Sequence, residues 1–583
     1  MKRLMALVLC LFMVCSFTAC RKNTDDGSTS VIYEYEYVNG STDKDKDKDK
    51  DNGKDDDKGS GHSGDKDSDK GNSGEKITVT NNCYSSGTKI AKDKITLKVL
   101  VRDYTGGVTN YNNCALTKYI EKNMNIKLQF TTCSAEEVST KMTLAYASGT
   151  NPYDIYMGMA PAGSFHGPYI KQGKVTKLDD YIKKYGKNIQ HVFDKYPETQ
   201  YLCTAEDGGI YMLPMLDDQQ NYSDLLYINK KWLGSVGKSM PTTTDQLKAV
   251  LEAFKQKYPG KTPFVANSNA GEDVGPSLFG PFGISTYHNW NYIDQSSDQI
   301  KYTCISDEYR NGLRYYNSLF SAGLMKFAAS KDEVRKMTDA DSVGLVLTDS
   351  PKDTFNANKF NSDWTMVPVL NASSGGTWAN VKYENTWAEW FVLTKSCKYP
   401  ECAVRLADWF YSKEGTLTGQ YGPKGTYWDY DTKGNVVLDS SKIPNGKSES
   451  EYIYTLTPSY CLPRYKGDDY YALNFKTSTN NAITKMDENL KQLKNTLIKP
   501  KAEQKYYYPH LAYTAADSKQ VADIGPYNNY AYQMRMQFIT GTLSIENDWD
   551  SYVNTMKSTY KIDTVIKTEN TVYKRYKAWL ATK

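Results

Sequence analysis

Along Lys94-Ile95-Thr96-Leu97-Lys98-Val99-Leu100-Val101, polar and apolar residues alternate and then give way to a solid apolar run, the pattern of a strand entering a core. Helical spacing follows from Ala115 to Met124, and a second strand is predicted over Ile126 to Phe130. Ser134 with Glu137 makes a capping-box pattern ahead of a helix reaching Ala147. Gly149-Thr150-Asn151-Pro152 then stops it before a short strand from Tyr153 to Met157. The order is β-α-β-α-β, which implies a parallel sheet whose ligand crevice lies beyond the carboxyl ends of its strands.

Further on, the pattern predicts helices at Asp245 to Tyr258, Asp307 to Ala322 (closed by Gly323) and Pro400 to Ser412, with Pro400 suited to a first helical position. Strands are predicted at Ser342 to Leu347 and Thr365 to Leu370, and terminal helices at Trp549 to Tyr560 and Thr571 to Leu580. No internal repeat of fixed period occurs. The folded part, about 95 to 583, is long enough for two domains.

The first ninety-odd residues break this pattern. Lys2 and Arg3 precede an apolar run, Leu4 to Val14, too short to span a bilayer with ease, and Thr18-Ala19-Cys20 follows it. A cysteine directly after small residues is similar to the lipobox of secreted lipoproteins, so residues 1–20 read as a signal peptide and Cys20 as a diacylated mature N-terminus. Residues 21–94 are poor in apolar side chains. Asp43 to Lys70 holds 11 Asp and 8 Lys without one hydrophobic residue, so it reads as a solvated spacer reaching roughly 50 Å. Asp65-Lys66-Asp67-Ser68-Asp69 has acidic spacing suggestive of a calcium loop, but Lys70 and Lys76 stand where such a loop needs Gly and Glu.

Composition narrows the function. A net charge of +4 over 583 residues, with no basic stripe, argues against nucleic acid. The 48 Tyr and 10 Trp outnumber the 17 Phe, so most rings carry a polar handle suited to wet, sugar-like surfaces. Eight cysteines remain after Cys20, and their spacing does not reveal their connectivity. There is no CxxC, HExxH, GxSxG or GxxxxGK[ST], so no metal, cofactor, acyl-transfer or ATPase site is expected.

Several segments, in order, resemble family 1 extracellular solute-binding proteins, especially the long lipoprotein branch that serves oligosaccharide importers of Gram-positive bacteria. They are Asn151-Pro152-Tyr153-Asp154-Ile155, Asp207-Gly208-Gly209-Ile210-Tyr211-Met212-Leu213-Pro214, Leu226 to Leu233, and Pro241-Thr242-Thr243. Tyr399-Pro400-Glu401, Tyr411 to Gly415, Tyr421 to Tyr427, Phe538 to Gly541 and Trp549 to Tyr552 continue the series, although Pro423-Lys424 replaces the family's Ile-Glu. The resemblance implies an α/β, type II periplasmic-binding-protein-like fold with a hinge between two lobes. One lobe would be 95–214 plus 395–445 and the other 220–385 plus 450–583, with crossings near Pro214 to Gln220 and Asn385 to Leu393. It also implies an oligosaccharide ligand, two permease subunits with a separate ATPase, and a monomer tethered to the outer face of the membrane.

A sugar needs oriented polar groups for its hydroxyls and a flat apolar partner for its C–H face. The candidates near predicted strand ends and crossings are therefore Asp103, Tyr104, Asp217, Asp218, Asp349, Trp387 and Trp390. Trp290 in a polar segment, and Tyr427 and Trp428 after the Gly-rich turn, complete the set. No catalytic residue is assigned. Paired carboxylates beside rings also suit a surface glycosidase, and a long stalk suits an adhesin, so these are the rival readings.

Overall fold

The computed structural model describes residues 77–583 apart from 160–165, 218–224, 268–275, 285–290, 295, 349–350, 373–384, 446, 448, 468–469, 471–472, 474, 478–480, 499–510 and 523. Along the chain run β1 (Ile95–Arg102), β2 (Ile126–Cys133), β3 (Ile155–Met157), β4 (Met212–Asp217), β5 (Leu225–Asn229) and β6 (Thr262–Asn267). They are followed by β7 (Met325–Ala328), β8 (Val343–Thr348), β9 (Trp364–Met366), β10 (Asn385–Leu393) and β11 (Arg464–Lys466). These strands divide into a six-stranded sheet, β11-β4-β10-β3-β1-β2, and a five-stranded sheet, β7-β6-β8-β5-β9. Each sheet is the centre of one lobe.

In the first lobe β1 pairs in parallel with β2, from Ile95↔Ile126 to Arg102↔Cys133, and with β3. Helices Ala115–Met124 and Val138–Ala147 form the crossovers that parallel pairing requires. Glu137 accepts a hydrogen bond from the Ser134 amide at 2.9 Å, one half of the expected capping box. β10 runs antiparallel to both β3 and β4. The chain leaves this lobe at the end of β4 and re-enters at the start of β10, and the two end residues, Asp217 and Asn385, are direct pairing partners.

In the second lobe β5 is the reversed strand, antiparallel to β8 and β9, while β6 is parallel to β7 and β8. Every residue of β5 is buried, because both sheet faces are covered. Leu226 and Ile228 pack in a core with Tyr527, Phe538 and Val565. Leu225 and Tyr227 face Phe355, Phe360 and Trp364 on the other side. Each such side chain contributes roughly 1.5–3 kcal/mol. Gly344 in β8 is dictated by packing, since a Cβ there would lie 2.6 Å from Trp232 and 2.5 Å from Phe254.

Three segments sit elsewhere than the sequence pattern suggests. Residues 77–93, expected as the end of the spacer, fold against the first lobe as a strap that buries Cys83, Ile90 and Ala91. Asn385–Leu393, expected as a crossing, is a long strand of the first sheet whose far half is fully buried. Residues 450–477, expected with the second lobe, supply β11 and a strand, Phe475–Thr477, that pairs with Val436–Leu438. β11 is only Arg-Tyr-Lys, and its charges hide its place in a sheet until Asp217 is seen beside them. The terminal helices begin earlier than expected, at Ile545 and Ile562, the first because the Ser544 side chain caps it. Among the described residues, no helix is long and apolar enough to cross a membrane.

Candidate functional site

The carboxyl ends of β1, β3 and β4 and the start of β10 meet along one edge of the first sheet. Register places Arg464, Met215 and Trp387 in one row across β11, β4 and β10, with Lys466, Asp217 and Asn385 in the next. Because side chains alternate along strands, Arg464, Lys466, Met215, Asp217 and Trp387 share a face. Trp387 stands out on it, being 44% exposed. Its ring lies 6.1 Å from that of Trp390, which in turn lies 5.9 Å from Tyr104. The Arg102 guanidinium sits 4.3 Å above the Tyr104 ring. Burial pushes the Tyr104 hydroxyl up to about 12, so it stays a neutral hydrogen-bonding group.

Three aromatic rings thus lie in contact, the buried Trp390 between the half-buried Tyr104 and the exposed Trp387. Trp390 is buried, yet its indole N–H meets no acceptor among the described residues. A bulge in the β4–β10 pairing between Trp387 and Phe391 allows both tryptophans to serve the same edge. Within that bulge, Glu389 lies 3.0 Å from Nδ1 of the fully buried His166. This contact ties β10 to the start of helix Gly167–Lys171.

The second row is an ion cluster. The Asp217 carboxylate lies 3.8 Å from Arg464 and 3.5 Å from Lys466, and all three are largely buried. Burial brings the Lys466 ammonium down to about 7, the neighbouring Arg464 charge acts in the same direction, and Asp217 only partly restores it. Arg464 also donates to the Ser459 carbonyl at 2.8 Å and lies 5.6 Å from the ring of Tyr460. Tyr460 is 46% exposed, a second surface ring beside the row.

Asp103 is committed to its own loop. Its carboxylate accepts from the Thr105 amide and hydroxyl, the Gly107 amide and the Tyr111 hydroxyl, at 2.7–3.0 Å. Burial would raise its pKa, but these hydrogen bonds outweigh that and hold it below the ordinary aspartate value. It shapes the loop that carries Tyr104. Close packing completes the edge: Gly158 has a φ of +61°, and a Cβ there would lie 2.7 Å from the Cys461 backbone.

Tyr427 and Trp428 do not join this edge. Each is 1% exposed. The Trp428 indole donates to the Gly422 carbonyl at 2.7 Å and the Tyr427 hydroxyl to Glu449 at 2.7 Å, so their polar handles are already used in packing. Asp218, Trp290 and Asp349 lie outside the described residues. Sequence reasoning missed Tyr460, Arg464, Lys466, Glu389 and His166. For Tyr460 the sole cue was a tyrosine-rich stretch around Pro458-Ser459, and for the ion cluster there was none, because its members are some 250 residues apart in sequence. A cavity of 780 Å³ lies elsewhere, lined by Lys183, Lys187, Asn188, His191, Arg405 and Trp409.

The exposed Trp387 and Tyr460 rings can stack against an apolar ring face. Residues 112–417 match the profile of the family described as bacterial extracellular solute-binding protein. The chain is 26% identical over 517 residues to the fructooligosaccharide ABC transporter substrate-binding protein FusA of Streptococcus pneumoniae, an alignment covering 84% of this chain and 91% of that protein. The fold is similar to that of solved FusA in complex with kestose, with a TM-score of 0.66 at 22% identity, covering 84% of this chain and 100% of the other. It is also similar to an HMO binding, ABC-transporter-associated solute-binding protein from Bifidobacterium longum infantis. That comparison gives a TM-score of 0.66 at 20% identity over 83% of this chain and 99% of the other.

Proposed function

This chain belongs to the bacterial extracellular solute-binding protein family, and from that premise we propose that it captures an oligosaccharide between its two lobes and presents it to the permeases of an ABC importer. The observation that carries this reading is the exposed Trp387, backed by Trp390 and Tyr104 at the edge where the chain crosses between lobes. A large ring left this open costs apolar hydration unless a ligand covers it, and stacking on a pyranose or furanose face recovers that cost. The 26% identical relative, a fructooligosaccharide-binding protein, supports the same ligand class.

Binding works as a population shift. Sugar contacts from both lobes favour a closed arrangement that the permeases recognise, and the protein makes and breaks no bond in the ligand. Trp387, Trp390, Tyr104 and Asp217 act in the first lobe. Asp218, Trp290 and Asp349 are further candidate contacts. Cys20 carries the lipid that holds the mature monomer at the outer face of the membrane, and a separate ATPase energises two permease subunits.

Calorimetry of the mature chain against fructo-, gluco- and galacto-oligosaccharides tests this. One ligand class should bind with a one-to-one stoichiometry, and Trp387→Ala should weaken it at least about tenfold, or about 1.4 kcal/mol. Unchanged affinity in the variant removes the site assignment. Shortened sugars after incubation establish hydrolysis instead.

A further inference from the structure

Eight thiols lie among the described residues. Five meet only oxygen partners: Cys114 the Thr117 hydroxyl, Cys133 the Val101 carbonyl, Cys203 the Ala388 carbonyl, Cys461 the Arg102 carbonyl and Cys304 the Tyr552 hydroxyl, while Cys397 accepts from the Tyr399 backbone N–H and Cys83 donates to the Tyr84 carbonyl at 3.4 Å. Cys83 and Cys402 also meet each other. Cys83, in the strap, and Cys402, in the first turn of helix Pro400–Tyr411, are joined by a thiol–thiol hydrogen bond, and both are fully buried.

The pair is fixed from both sides. Upstream, the Asn81 side-chain amide donates to the Lys398 carbonyl at 3.0 Å and the Glu401 carboxylate at 2.8 Å. Downstream, the Arg405 guanidinium donates to the Tyr84 carbonyl at 2.6 Å and to that of Gly87. Residues 81, 83 and 84 of the strap thus lie over residues 401, 402 and 405 of the helix, with sulfur held against sulfur. The two thiols are also unequal. The hydrogen bond from Cys402 lowers the Cys83 thiol below its ordinary value against the effect of burial, and the Arg405 charge adds to this, while Cys402, as donor, is raised.

We propose that Cys83 and Cys402 form a disulfide in the exported protein and clamp the strap to the first lobe. The extracellular setting of the family permits such bonds. The oxidant is a disulfide, carried by a thiol–disulfide exchange protein or by glutathione disulfide. The Cys83 thiolate attacks one oxidant sulfur and expels the other as a thiolate, and the Cys402 thiolate then displaces the first. Two protein thiols become one S–S bond, and the oxidant leaves as two thiols carrying the two protons. Because both sulfurs are inaccessible once the strap is down, exchange takes place while the exported chain is still folding.

The test is differential labelling of the full chain exported by a Gram-positive host and purified without reductant. The protein is denatured in N-ethylmaleimide, then reduced and treated with iodoacetamide, and its peptides are read by mass spectrometry. Cys83 and Cys402 should carry the acetamide label, with maleimide on the other six. Maleimide on both Cys83 and Cys402, or a bond from either to a third cysteine, overturns the proposal. The clamp itself is tested by limited proteolysis: Cys402→Ser should be cut within residues 77–92 at least about fivefold faster than the parent, and equal rates overturn the clamping role.

Discussion

Two aromatic pairs, Trp387 with Trp390 and Tyr427 with Trp428, look alike in sequence, yet the fold gives them opposite work. Trp428 is enclosed and its N–H is bonded to Gly422, and the hydroxyl of Tyr427 is bonded to Glu449. Trp387 is open to solvent, and the Trp390 N–H meets no acceptor among the described residues. A ring enclosed with its polar handle satisfied internally stabilises the fold, whereas a ring exposed at the surface can serve a ligand.

The contrast can be broken by mutation. Trp428→Ala should cost about 3–5 kcal/mol of stability, read as a lower denaturant midpoint, because it leaves a cavity and orphans the Gly422 carbonyl. Any affinity change in that variant should only follow unfolding. Trp387→Ala should reverse this pattern, with stability changed by no more than about 1 kcal/mol and the affinity loss described above. Similar stability losses in the two variants would abolish the distinction.

The row beside Trp387 sharpens it further through pH. Lys466 titrates at about 7 in the folded chain and near 10.4 when unfolded. Between these values the unfolded chain binds the extra proton, so this group makes stability rise with pH, by about 1 kcal/mol per unit at most, and imposes its full penalty below pH 7. Lys466→Met should flatten the pH dependence of the denaturation midpoint between pH 7 and 10. A slope identical to that of the parent would show that the lysine is not desolvated. The smallest effect belongs to Tyr427→Phe, which loses the Glu449 hydrogen bond and should cost about 1 kcal/mol with no change in ligand affinity.

Much of the architecture was legible in the sequence. Ile95 to Met157 reads strand, helix, strand, helix, strand, and β1, β2 and β3 pair in parallel as that order demands. Burial of one face wrote β2 and the first half of β1 as alternating patterns, and burial of both faces wrote the end of β1 and all of β3 as apolar runs. Short or charged pieces were not legible. β11 is three residues with two cations, and its place depends on Asp217, far away in sequence. The strap is held by Cys83, Ile90 and Ala91 within a polar stretch that otherwise resembles the spacer before it. The same limit applied to the candidate residues. Asp103 was recognisable as the residue after a strand, but its four hydrogen bonds to its own loop depend on Thr105, Gly107 and Tyr111 folding back around it.

The direct pairing of Asp217 with Asn385 has a mechanical consequence. Outgoing and returning chains start about 5 Å apart, so two of the crossings share one narrow pivot for a swing of the second lobe. Displacement in such a swing grows in proportion to the lever arm. Trp387, two residues from the pivot, stays almost still while distant parts of the other lobe sweep through the largest arc. Whatever touches Trp387 therefore sits where such a swing moves least.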